Sequence, residues 1–149
     1  MPTFRSSVIV SILVGLAAVF FLAVYVTRSG PDSSIVIQTP RGSIRAMVAS
    51  SSAEQELGLG GRDTLPRDEG MLFPFPYPGD YGFWMKDMRF PIDIVWILSN
   101  KRVVSVTADV RPDTYPAIFY PPLAISYVLE LDAGAADEFG IATDTQLVF

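Results

Sequence analysis

The stretch from Gly82 to Ile97, GFWMKDMRFPIDIVWI, holds the residues of this 149-residue chain best suited to chemistry. Asp93 lies between Ile92 and Ile94, inside a run that otherwise reads as buried. A carboxylate in such a place must be paired or hydrogen-bonded, or its pKa rises and it becomes neutral. Lys86, on the other side of the Phe90-Pro91 turn, is one candidate counter-ion and Arg62 is another. In a structural reading, Asp93 pins the turn by accepting backbone donors and pairing with Lys86 or Arg62. In a functional reading it is an acid or base in a cleft. A glycosidase-like pair needs two carboxylates facing each other at roughly 5–10 Å. Asp87 with Asp93 and Asp68 with Glu69 are available, but neighbouring acids on a strand point to opposite faces and no spacing singles out a pair.

Aromatic residues form a second signal. Phe73, Phe75, Tyr77, Tyr81, Phe83 and Trp84 crowd together, with Trp96 beyond. Such rings either pack a small β-core or stack on sugars, cations or Pro-rich peptides. The prolines from Pro74 to Pro78 argue that Phe75 and Tyr77 stand on a loop, where contact with a ligand or partner is favoured. With Trp84, they are the expected binding aromatics.

Composition removes other chemistries. The chain has no histidine and no cysteine, which excludes Ser–His and Cys–His nucleophiles, thiol redox, disulfides and zinc sites built on sulfur or imidazole. Gly58-Leu59-Gly60-Gly61 follows a helix instead of joining a strand to one, so it is no phosphate loop. No catalytic residue, cofactor or metal is assigned. The formal charge of −5 argues against nucleic acid as a partner.

These residues must be positioned by a domain of ordinary length. Val8–Val26 is an uncharged apolar run of 19 residues flanked by Arg5 and Arg28. At about 1.5 Å per residue it spans a bilayer, and it is longer than the apolar core of a cleavable signal. Residues 1–28 are therefore expected to be an uncleaved transmembrane helix and 29–34 a linker. Residues 35–149 are expected to form a soluble domain outside the cytoplasm, because a short N-terminal tail most simply stays inside. That portion, with its linker, holds nine basic against sixteen acidic residues.

Within it, Ile35–Gln38 and Ser43–Ala49 read as a hairpin, and Ser51-x-x-Glu54 as a capping box opening a short helix that the glycines end. Gly70–Phe73 and Tyr81–Met85 read as strands around a Pro-rich loop. Ile92–Leu98 and Val103–Ala108 form a second hairpin, and Asp109–Leu123, with four prolines, an irregular loop. Tyr127–Leu131 is a strand, Asp132 caps a second short helix, and Thr145–Phe149 closes the sheet. Phe90-Pro91 is a candidate cis bond. The expected fold is mainly β, a small β-sandwich or partly open, jelly-roll-like barrel with two short helices.

The order of these signals resembles the family known as domain of unknown function 192. It is carried by Leu57-Gly58-Leu59 with Arg62, Glu69-Gly70-Met71-Leu72-Phe73, Phe83-Trp84-Met85-Lys86, Phe90-Pro91-Ile92-Asp93 and Tyr127-Val128-Leu129-Glu130-Leu131. The resemblance covers roughly Ile44 to Phe149 and implies a compact, mainly β fold without implying an activity. By position, Arg62, Lys86 and Asp93 are the polar residues shared with the family pattern, with Trp84 beside them, so a common polar cluster is expected. The chain departs from the pattern at Gly60-Gly61, at Asp87-Met88, and in the loop 109–123, which lacks the cysteines that many members carry. The function expected is a membrane-tethered module that binds a ligand or protein partner. The alternative is a carboxylate-dependent hydrolase acting on envelope polymers through Asp93 and Lys86.

Overall fold

In a computed structural model, the structure describes residues 33–149. The expected transmembrane helix and most of the linker lie outside the described residues. Among those described, no helix is long and apolar enough to cross a membrane.

Strand β1 (Ser34–Thr39) turns at Pro40-Arg41 into β2 (Gly42–Val48), as the hairpin pattern predicts. Helix α1 (Ser52–Leu57) opens on the capping box: Ser51 Oγ accepts from the Glu54 amide at 3.2 Å, while the Glu54 carboxylate accepts from the Ser51 amide at 2.8 Å. Those amide and hydroxyl donors, the Ser51 amide foremost, hold the Glu54 carboxyl below the usual carboxylate range. Gly58 stops the helix at φ 53°, a left-handed conformation that costs a glycine little.

Strand β3 runs from Glu69 to Gly79, straight through the prolines expected to make a loop. Prolines two apart withdraw amide donors from one side of a strand only. On that side, the Leu72 carbonyl accepts from the Ala49 amide, and the Pro74 carbonyl accepts from the Gln55 side chain at 3.0 Å. Pairing with β2 ends at Leu72, so Pro74, Pro76 and Pro78 withdraw donors where β2 no longer pairs.

Next come β4 (Phe83–Trp84), β5 (Ile92–Ile97), β6 (Val103–Val110), a 3₁₀ turn at Pro112–Thr114, β7 (Ile118–Phe119), β8 (Ile125–Asp132) and α2 (Ala135–Glu138). The main sheet has six strands in the order β1-β2-β3-β8-β5-β6, and β4 pairs with β7 separately. The sheet is open, so the barrel alternative is not formed. A jelly roll is also ruled out, because the crossover through α1 lays β3 parallel to β2. Thr145–Phe149, expected as a closing strand, makes isolated bridges to both sides instead, Gln38 with Val148 and Arg102 with Gln146. The cis bond is Tyr115–Pro116, not Phe90–Pro91.

Both faces of the sheet are buried. One carries Met71, Phe73, Ile92, Ile94, Trp96 and Val128; the other carries Leu72, Val95, Ile97, Leu129 and Leu131 with Ile37, Ile44 and the alanines of α2. Strand β5 is buried at every position, and Trp96 satisfies its indole N–H on Thr107 Oγ1 at 2.9 Å. A strand buried on both faces leaves nowhere for a charge to reach water. Two carboxylates nevertheless stand in the interior, Asp93 on β5 and Glu130 on β8.

Candidate functional site

Asp93 is 1% exposed and pairs in register with Leu131, which places it on the face that packs against α2. The Asp109 amide donates to Oδ1 and the Ala136 amide to Oδ2, each at 3.0 Å. Both donors need an acceptor that local structure does not supply. Asp109 has φ 50° beside an irregularity in the β5–β6 ladder, and α2 begins at Gly134, which has no side chain to cap it. Asp93 thus caps α2 from another strand, in the role expected of Asp132. Asp132 instead accepts from Arg67 at 2.8 Å, and Arg67 also pairs with Glu138.

The expected cluster of Arg62, Lys86 and Asp93 does not form. Among the described residues, none of the three takes part in an ion pair. Arg62 directs Nη2 at Met47 Sδ, 3.2 Å away. Lys86 lines a cleft on the opposite face of the sheet from Asp93. Pleating turns Asp93 to the α2 face while the Lys86 cleft lies on the other, and two backbone amides occupy the Asp93 oxygens in place of a cation.

The residue at the floor of that cleft is one the sequence reading passed over. Glu130 is 4% exposed and lies on β8 between Met71 of β3 and Ile94 of β5, on the face opposite Asp93. Its Oε2 is fully buried and has no hydrogen-bond partner. Burial pushes the carboxyl up to about 8, against the opposing pull of the Leu59 backbone N–H. The signal was legible, since Glu130 interrupts the apolar run Tyr127–Leu131 much as Asp93 interrupts its own.

Around Glu130 the cleft has a volume of about 230 Å³. Its roof is the turn after α1. A Cβ on Gly58 would stand 3.5 Å from both Glu130 Oε2 and Phe73 Cζ, so this turn packs directly over the carboxyl and the ring edge. One wall is the Phe75–Tyr81 stack, with centroids 3.7 Å apart and planes 8° from parallel. Trp84, 41% exposed, and Lys86 also line it. Of the expected binding aromatics, Phe75 and Trp84 therefore share the cleft with Lys86. Tyr77 does not; it is 75% exposed, and its carbonyl accepts from Tyr81 Oη at 2.9 Å. Among the described residues, no group of three or more acidic side chains is arranged to hold a metal ion.

The architecture is thus a mainly β domain with one buried carboxyl consumed by the fold and a second left at the floor of an aromatic cleft. The DUF192 family pattern, described as Uncharacterized ACR, matches residues 35–149, and the chain belongs to that family. Two crystal structures resemble it. One is a "putative transcription regulator" from Sinorhizobium meliloti 1021, 27% identical, with a TM-score of 0.71, covering 80% of this chain and 97% of its own. The other is a protein of unknown function from Novosphingobium aromaticivorans DSM 12444, 27% identical, with a TM-score of 0.70, covering 78% of this chain and 84% of its own. None of the curated proteins matches the chain.

Proposed function

We propose that this chain is a membrane-tethered binding module, held outside the cytoplasm by Val8–Val26, whose domain takes a small ligand in the cleft above Glu130. One observation carries the reading: Glu130, whose buried Oε2 is unpartnered, lines an aromatic cleft. An unsatisfied buried polar group costs about 1–3 kcal/mol. Binding sites are where such a cost is offset, because a ligand supplies the missing partner. Small apolar clefts with one convergent polar group have the usual form of such sites. The acidic composition of the domain disfavours nucleic acid, so regulator activity on the pattern of the Sinorhizobium protein is not part of this proposal.

The test is equilibrium dialysis of the full chain, in detergent micelles, against a mixture of small metabolites, with bound compounds identified by mass spectrometry. The wild type is expected to enrich at least one compound that Glu130→Leu does not. Identical enrichment by both proteins overturns the cleft as the binding site. For the tether, the chain is expected to resist alkaline extraction from membranes and to be digested by protease added outside intact spheroplasts. Release by alkali, or protection from that protease, counts against it.

A further inference from the structure

We propose that the ligand of this cleft carries an ammonium group on an aromatic or apolar body, with the ammonium on Glu130 and the body against Phe75, Tyr81 and Trp84. The inference rests on the cleft being a binding site and adds the class of ligand.

The floor offers a carboxyl with a free oxygen. Gln55, which also lines the cleft, already gives its amide to the Ala49 and Pro74 carbonyls, at 3.2 and 3.0 Å. Glu130 is the buried polar side chain there, and its free Oε2 is an acceptor whenever the carboxyl is ionised. Glu56 and Lys86, both exposed, line the same cleft with opposite charges and neither is ion-paired among the described residues. Their charges offset each other, so the charge that a ligand can induce in the interior is that of the Glu130 carboxylate.

The aromatic surroundings favour the ionised carboxyl. The Phe73 ring edge lies beside Oε2, each 3.5 Å from where a Cβ on Gly58 would stand, and Phe83 packs edge-on to Phe73 with centroids 5.0 Å apart. An aromatic edge is electropositive, so the Phe73 edge beside Glu130 favours the ionised carboxyl with which an ammonium would pair. An anionic ligand would hold the Glu130 carboxyl in its neutral form, whereas a cation gains a full counter-charge there. Arrival of a cation gives the buried carboxylate the counter-ion it lacks, so the carboxyl ionises on binding and releases its proton to solvent. Glu56, Tyr81 and Lys86 are the other titratable groups lining the cleft.

The experiment is calorimetric titration of the full chain in detergent micelles with phenethylammonium and with its neutral counterpart phenylacetamide. Each is run near neutral pH in two buffers of different ionisation enthalpy, on wild type and on Glu130→Gln. Wild type is expected to bind the amine at least about tenfold more tightly than the amide, releasing up to one proton. The variant, in identical micelles, is expected to lose that preference while its amine signal measures partition into detergent. Amide binding as tight as amine binding to wild type, or amine binding undiminished in Glu130→Gln, overturns the ammonium assignment and leaves the cleft reading standing. Failure of both probes to perturb the wild-type protein, by heat or by Trp84 fluorescence, overturns the two together.

Discussion

Asp93 and Glu130 occupy adjacent strands one register apart, Asp93 opposite Leu131 and Ile94 opposite Glu130, and are buried to nearly the same degree. Pleating sends one carboxyl to each face of the sheet, and the faces treat them differently. On the α2 side, two backbone amides with no local acceptor converge on Asp93 and engage both its oxygens. On the cleft side, the nearest turn offers Glu130 the Leu59 amide and leaves Oε2 unpartnered. A buried acid is therefore not a site by virtue of burial. What separates architecture from a binding floor is whether the fold itself uses up the acid's hydrogen-bonding capacity.

The comparison can be broken most directly through pH. Glu130 has a folded pKa raised from 4.5 to about 8, so the native state holds a proton that the unfolded chain has released across that window. Its contribution to stability is complete below the unfolded value and is lost as pH rises through the folded one. Relative to Glu130→Gln, the wild type should lose roughly 1.4 kcal/mol per pH unit, up to about 5 kcal/mol in all, in urea denaturation followed across the window. Parallel stability profiles for the two proteins would mean that Glu130 is solvated or paired after all.

Next in size is Asp93→Ala, which orphans two amides at about 1–3 kcal/mol each and should lower unfolding free energy by about 3 kcal/mol. Asp93→Asn keeps one acceptor and should cost roughly half of that. A loss well under about 1 kcal/mol for the alanine variant would show that water replaces the carboxylate and would erase the contrast between the faces.

Ser51→Ala tests the roof of the cleft. Loss of the cap should cost about 1 kcal/mol and should raise hydrogen exchange at Gly58 and Leu59, leaving Ala136 on the other face unchanged. Equal protection at both places before and after the substitution would uncouple α1 from the cleft. The smallest effect is expected for Tyr77→Ala, within about 0.5 kcal/mol of wild-type stability and without change in cleft binding. Weakened binding in that variant would move the ligand contact out to the end of β3.

Local signals in the chain located most elements. The hairpins β1–β2 and β5–β6, the Ser51–Glu54 capping box and the strand at Tyr127–Leu131 follow from alternation and turn residues that act over a few positions. The prolines of β3 misled, because their meaning depends on whether a neighbouring strand needs the missing donors, and that neighbour ends its pairing at Leu72. The open sheet edges and the parallel β2–β3 pair are likewise long-range outcomes.

For the site, composition and pattern determined that no imidazole or thiol chemistry is available, that acids lie in apolar runs, and that aromatic residues gather between Phe73 and Trp84. Whether a given acid is satisfied depended on amides brought to it across a register or from a helix start 43 residues away. Such donors are invisible in a linear pattern because backbone N–H groups belong to every residue but proline. Only the folded chain fixes where they point, and it pointed two at Asp93 while leaving Glu130 with an open acceptor.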